Sequence, residues 1–244
     1  MNSRRLFGFL ATFWLCSAAL SAAPTGIWPL NPAKPPEPAD TAGLPPQLQP
    51  AAVFQTVFMR ILAGKPEEDW RGTLEGFAGV ASADPVSQAL RQLSRVWLAR
   101  VEMRRIDAAL LDYYRHNVAF PPDFDVLDLP QELRRDPWGD AWAYHPHAPA
   151  GFASLASQRY ELGPARLPHL AGMKVALEQR HIAPPQADVS QLQTPGGLAL
   201  QLRLSNGLMA VIQPGGQAGG FTLVYIGQNW ALMAGEDQLF TITF

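Results

Sequence analysis

The sequence predicts an α+β fold, in which a long helix packs on a small antiparallel sheet and an antiparallel β meander follows at the C-terminus. Two patterns lead to this prediction. Between residues 84 and 115, apolar residues recur at alternating steps of three and four, as on one face of a helix. After residue 195, they recur at every second position, as on one face of a strand.

The composition limits the classes of function. The 244 residues carry a net charge of -2, and only 16% of them are charged, so we expect no electrostatic surface for nucleic acid. Hydrophobic residues make up 48% of the chain, which is enough for one sizeable core or two small ones. The 23 prolines indicate folded parts joined by stiff segments.

The N-terminus has the three regions of a secretory signal peptide. Residues 1–5 are positively charged, residues 6–16 are apolar, and residues 17–24 are mostly small. We therefore expect a signal peptide over residues 1–23 and a periplasmic or secreted protein. The alternative is an uncleaved inner-membrane anchor, because the apolar residues 6–23 have about the minimum length of a membrane span.

The only cysteine, Cys16, lies inside this N-terminal segment. Leu15 precedes it, whereas a lipoprotein signal needs a small residue at that position, so we do not expect lipidation. Cleavage would leave a chain with no disulfide, no thiol nucleophile and no thiolate metal site.

Residues 24–50 contain nine prolines and show little periodicity. Such a segment favours extended, semi-rigid backbone, so we predict a linker. A ligand for a proline-binding groove is the functional alternative. A helical segment is expected over residues 51–83, where Val53, Val57 and Ile61 lie four apart and a second short helix follows Pro66.

A long helix is predicted from Pro85 to about Arg115. Asp84 can cap its first turn, and Pro85 suits that turn. We expect Asn117 to take the left-handed conformation at the helix end. The predicted buried stripe contains Val96, Ala99, Met103, Ile106, Leu110 and Tyr113. Four arginines off this stripe predict a solvated face, or alternatively an anion-binding face: Arg95, Arg100, Arg104 and Arg105.

Residues 134–144, RRDPWGDAWAY, form the most specific string of the chain. They predict a type I β-turn, in which Asp136 accepts hydrogen bonds from the turn amides, Pro137 pre-sets φ and Gly139 ends the turn. Trp142 and Tyr144 then alternate with alanines, as on a strand with one buried face. Residues 160–162 would form the partner strand of a hairpin.

This order of helix, turn and strand resembles the globular domain of the major pseudopilin of type II secretion systems, and of pilin-like proteins generally. The resemblance covers residues 88–165 and implies a pilin-like fold for residues 84–165. It also implies that the matching residues are structural and not catalytic. These turn and core residues are Asp136, Pro137, Trp138, Gly139, Trp142, Tyr144, Tyr160 and Gly163.

The chain departs from this family at two functional features. Phe13 occupies the position of the family's N-terminal glutamate, and the nine prolines of the linker rule out one continuous helical spine. The family's calcium-binding loop is also missing, because no acidic residue follows Gly163 until Glu178. We therefore expect no metal site and no cofactor.

Residues 166–244 predict a short helix over residues 170–181 and then the β meander. Its strands are expected at residues 198–204, 208–213, 221–227 and 238–244. Asn206-Gly207 predicts the first hairpin turn, since both residues tolerate positive φ.

These patterns favour an exported, non-catalytic protein that acts through contacts with other envelope or secretion-system proteins. One alternative is a periplasmic metal-dependent hydrolase that uses the loop with His145 and His147, although zinc would need one or two further ligands. Another is an envelope module that binds a ligand through its meander.

Overall fold

The computed structural model describes residues 44–147, 159–170, 189–204 and 207–244. Within them the fold is α+β, with three α-helices and nine strands. The predicted signal segment, most of the predicted linker and the predicted short helix after Leu170 lie outside the described residues. Across these described ranges, no helix is both long enough and apolar enough to cross a membrane.

The helices are α1 at Gln49–Leu62, α2 at Arg71–Ala78 and α3 at Pro85–Asn117. Helix α1 begins two residues inside the predicted linker, because a 3-10 turn at Pro46–Leu48 leads into it and a proline suits its first turn. Val53 is 50% exposed, whereas Val57 and Ile61 are buried, so only part of the predicted apolar face lies in the core. Further 3-10 turns lie at Glu67–Asp69, Phe124–Val126 and Gln131–Leu133.

Helix α3 begins as predicted. The Asp84 side chain accepts a hydrogen bond from the Ser87 amide at 2.9 Å. Its end differs from the prediction, because Val118, and not Asn117, takes the left-handed conformation with a φ of 58°. Asn117 stays in the helix, where its side-chain amide donates to the Tyr113 carbonyl at 2.9 Å, and the chain turns one residue later.

The hairpin follows the Asp-Pro-Trp-Gly turn. Strand β1, Trp142–His147, pairs antiparallel with β2, Arg159–Pro164, and Tyr144 lies opposite Leu162. The hairpin and residues 120–133 pack on the C-terminal half of α3. The buried residues of this core are Val96, Ala99, Met103, Ile106, Leu110, Leu127, Leu129, Leu133, Trp142 and Leu170.

The C-terminal strands form two antiparallel sheets where the sequence predicted one meander. The strands are β3 at Val189–Thr194, β4 at Gly197–Arg203, β5 at Met209–Ile212, β6 at Gln217–Ala218, β7 at Phe221–Ile226, β8 at Trp230–Ala234 and β9 at Leu239–Thr243. The three-stranded sheet has the order β3, β4, β5, and the four-stranded sheet has the order β6, β7, β8, β9. Strands β3, β6 and β8 were not among the predicted strands.

The four-stranded sheet is the middle layer of this part of the fold. Its faces enter two different cores, one shared with α1, α2 and α3 and one shared with the three-stranded sheet. The helix-facing residues are Val224, Trp230, Leu232, Ala234 and Leu239. The opposite face contributes Leu223, Ala231, Met233, Phe240 and Ile242, which meet Leu200, Leu202 and Ile212 of the other sheet.

Candidate functional site

The Asp-Pro-Trp-Gly string is a closed turn in which one carboxylate oxygen of Asp136 bonds to the backbone. The Oδ1 atom of Asp136 accepts hydrogen bonds from the Trp138 amide at 2.9 Å and from the Asp140 amide at 3.0 Å. The Gly139 amide donates to the Asp136 carbonyl at 2.8 Å, and Gly139 has a φ of 88°. Asp136 is buried, and its Oδ2 atom accepts no hydrogen bond from the described residues.

The aromatic residues of the resemblance also use their polar atoms inside the fold. Trp138 Nε1 donates to Gln92 Oε1 on α3 at 3.1 Å, and Trp142 Nε1 donates to the Leu133 carbonyl at 3.0 Å. The Tyr144 hydroxyl donates to the Pro121 carbonyl at 2.8 Å. These bonds fix the turn and the hairpin against their neighbours.

Tyr160 and Gly163 complete the second strand of the hairpin. The Tyr160 hydroxyl donates to Asp107 Oδ1 on α3 at 2.9 Å. Burial is the largest cause that raises the pKa of Tyr160, and the negative charge of Asp107 raises it further. A Cβ at Gly163 would lie 3.0 Å from the Pro168 carbonyl oxygen, so a side chain there would force the neighbouring backbone to shift, and the close passage of the chain favours glycine.

The predicted histidine pair lies on the surface. His145 and His147 are exposed at alternate positions of β1, and their side chains therefore point to the same face. Glu161 lies opposite His145, and its Oε1 atom is 3.2 Å from His147 Nε2. Across the described ranges, no three histidine, cysteine, aspartate or glutamate side chains come together as a metal-binding group.

The four arginines of α3 do not form one solvated face, which corrects the prediction. Arg100 is only 5% exposed, and its Nη2 atom lies 3.0 Å from Asp237 Oδ2 in the turn between β8 and β9. Arg95 donates to the Ala78 carbonyl at 3.3 Å, at the end of α2. Arg104 is exposed as predicted. The difference arises because α2 and the C-terminal sheet pack against the side of α3 that the periodicity assigned to solvent.

A second ionic cluster joins α2 to α3. Glu67 Oε1 is 2.6 Å from both Arg71 Nη1 and Arg105 Nη2, and Glu102 Oε1 is 3.4 Å from Arg71 Nη2. Burial raises the pKa of Glu102 to about 7, although the positive charges of Arg71 and Arg105 act in the opposite direction. The closest cation of Glu102 is thus on a different helix, α2.

Several exposed apolar side chains lie at strand β5 of the three-stranded sheet. Leu208, Met209 and Val211 are 63%, 49% and 54% exposed, whereas Leu198 on the neighbouring strand is 40% exposed but alternates with the residues of the other face. Met209 and Val211 lie on the outer face of the sheet, whereas Ile212 points inward and is buried. Next to the end of β5 lies an open depression of about 590 Å³. Leu208, Met209 and Val211 are the candidate functional site, and we call them the β5 surface.

Sequence reasoning identified the β5 strand but not its exposure. One signal for it is present in the sequence, since no charged residue lies between Arg203 and Glu236. A long uncharged segment with apolar alternation can be either covered or left as a contact surface. The tertiary fold decides between these outcomes.

The chain matches no protein-family model, no curated protein and no solved structure.

Proposed function

We propose that this protein is a non-catalytic component of the bacterial cell envelope that acts through contacts with other proteins. The observation that carries this proposal is the β5 surface, where large apolar side chains lie exposed on an uncharged strand. The polar tips of Trp138, Trp142, Tyr144 and Tyr160 bond within the fold, which supports a structural role for them.

The proposal includes a pilin-like domain over residues 84–165. Helix α3, the Asp-Pro-Trp-Gly turn and the hairpin of β1 and β2 follow each other in the order of the pseudopilin family. The bond from Trp138 to Gln92 and the bond from Tyr160 to Asp107 attach the turn and the hairpin to α3. These contacts support a single unit of helix, turn and hairpin, which is the part of the chain that the resemblance covers.

The proposed location follows from the N-terminal segment. Residues 1–23 would direct the chain across the inner membrane or anchor it there, and the linker would hold the folded part away from the membrane. Because prolines interrupt the chain before α1, we do not expect the protein to extend a pilus-like filament. It would instead contact secretion-system or other envelope proteins beside such an assembly.

Cell fractionation and photo-cross-linking test the proposal together. A photoreactive amino acid replaces Val211 or, as the matched control, Val53, which is similarly exposed but lies on α1. We expect the protein in the periplasmic or inner-membrane fraction, with cross-linked protein adducts from position 211 and none from position 53. A cytoplasmic protein, or the absence of any adduct at position 211, would contradict the proposal.

A metal-dependent hydrolase is the second candidate function. His145 and His147 share one face of β1 with Glu161 opposite, and all three are exposed. Measuring the zinc content of the purified protein distinguishes the two candidate functions. Stoichiometric zinc that His145→Ala and His147→Ala both abolish, while His116→Ala on α3 retains it, would favour the hydrolase over the non-catalytic proposal.

A further inference from the structure

Strand β5 is an edge strand of the three-stranded sheet. Met209–Ile212 pairs with β4 on one side, and among the described residues no strand pairs with its other side. An edge strand presents backbone N–H and C=O groups that can pair with another strand. Strand β6, at one edge of the four-stranded sheet, has only two residues and offers a much shorter edge.

The β5 edge lacks the features that usually prevent pairing between molecules. Proteins commonly protect an edge with a charged side chain, a proline within the strand or a bulge. Met209–Ile212 contains neither a charge nor a proline, and its register with β4 is regular. The exposed side chains of Met209 and Val211 make this edge apolar on its outer face as well.

We propose that the partner of this edge is a second copy of the chain, bound by antiparallel pairing of the two β5 strands. The proposal rests on the proposed function in protein contacts and names the partner. The two three-stranded sheets would then join into one six-stranded sheet. Such an interface is isologous, so the same residues of both copies take part.

Charge and side-chain alternation both fit this partner. An uncharged strand has no group that would select a charged peptide, whereas two copies of it meet without like-charge repulsion. A two-fold axis perpendicular to the sheet at Val211 places Val211 against its own copy and Ala210 against Ile212. This register keeps the outward and inward faces of both sheets continuous, since opposite residues in an antiparallel pair share a face.

Sedimentation velocity of the purified full-length protein across the micromolar range tests the dimer. We expect a concentration-dependent dimer for the natural protein and for Val53→Lys, and a monomer for Val211→Lys. Circular dichroism and thermal unfolding should match between the two lysine variants, because both replace exposed valines. A natural protein that stays monomeric, or a Val211→Lys variant that remains a dimer, would overturn the proposal.

A cysteine at the interface gives an independent result. In a Cys16→Ser background, Val211→Cys should form an intermolecular disulfide under mild oxidation, whereas Val53→Cys should not. Equal cross-linking at both positions would contradict the register. If the protein is monomeric but position 211 photo-cross-links to a different envelope protein in cells, self-association fails while the proposed function stands.

Discussion

At the scale of single residues, Asp136 is a buried aspartate whose side chain accepts hydrogen bonds from the backbone of its own turn. One carboxylate oxygen receives two backbone amides, and the Asp136 amide donates to the Asp140 carbonyl at 2.8 Å. These bonds satisfy backbone groups that would otherwise lie unpaired beside the core. The Oδ1 atom of Asp136 thus holds the turn together, whereas its buried Oδ2 atom has no hydrogen-bond partner among the described residues.

Asp136→Ala should lower the free energy of unfolding by about 2 kcal/mol, because two amides lose a charged acceptor. Urea unfolding measures the change. Asp140→Ala is the matched control in the same loop, where the lost ion pair with Arg166 is solvent-exposed and should contribute less than about 1 kcal/mol. Equal losses for both variants would argue against this role of Asp136.

Glu102 has a folded-state pKa of about 7, which is above its ordinary value of 4.5 because the carboxyl is buried. The folded state therefore holds this proton more tightly than the unfolded state. The resulting stabilisation is fully present below pH 4.5 and is lost as the pH rises to about 7.

Glu102→Gln should remove this part of the pH dependence of the unfolding free energy, which amounts to at most about 3 kcal/mol. Urea unfolding at several pH values between 4.5 and 8 is the measurement. Glu132→Gln, which changes an exposed glutamate outside this cluster, should keep the pH dependence of the natural protein. The explanation fails if Glu102→Gln and the natural protein lose stability equally over this range.

At the scale of secondary-structure elements, β8 lies between two cores. Leu232 is buried against the helices, and the next residue, Met233, is buried against the three-stranded sheet. All five residues of Trp230–Ala234 are buried, so the strand has no polar face. The absence of alternation is a consequence of burial on both sides.

Leu232→Ala and Met233→Ala should each destabilise the protein by about 2–5 kcal/mol, because each leaves a cavity in a different core. Hydrogen exchange followed by mass spectrometry distinguishes the two. We expect faster exchange in α1 and α3 for Leu232→Ala, and in β4 and β5 for Met233→Ala. The two variants serve as controls for each other, and the same exchange pattern in both would contradict the three-layer arrangement.

At the scale of the whole molecule, Arg100 connects three separate parts of the chain. Its guanidinium lies 3.0 Å from Asp237 and 3.8 Å from Glu236, in the turn between β8 and β9. Glu236 in turn lies 2.8 Å from His169, which follows β2. The Trp97 indole donates to the Asp237 carbonyl at 2.6 Å. The long helix, the hairpin region and the C-terminal sheet thus meet at one buried cation.

Arg100→Ala should cost roughly 3 kcal/mol of stability, because it removes a buried cation from its acidic partners. Arg104→Ala is the matched control, because Arg104 is an arginine on the same helix whose side chain is 64% exposed. It should change the free energy of unfolding by less than about 0.5 kcal/mol. Thermal or urea unfolding measures the stability of the two variants against that of the natural protein. Similar small losses of stability in both variants would mean that the contacts between Arg100 and Asp237 contribute little to the free energy of unfolding.

The local sequence predicted the elements whose signals lie within a few residues of each other. The start of α3 follows from Asp84 and Pro85, and the turn follows from Asp136, Pro137 and Gly139. The hairpin of β1 and β2 follows from alternation of aromatic and small residues. In these cases the backbone preference and the hydrogen-bond partner belong to the same short segment, so the sequence contains the whole explanation.

Features that depend on distant elements were settled only by the tertiary structure. Arg100 and Asp237 are 137 positions apart, and the burial of β8 requires layers on both of its faces. The exposure of Val211 depends likewise on which face of the three-stranded sheet remains uncovered. The sequence by itself determined the fold class, the long helix and the turn, because those follow from local geometry. Burial, charge pairing and the candidate contact surface were decided by packing, since each depends on which remote residues come to lie alongside.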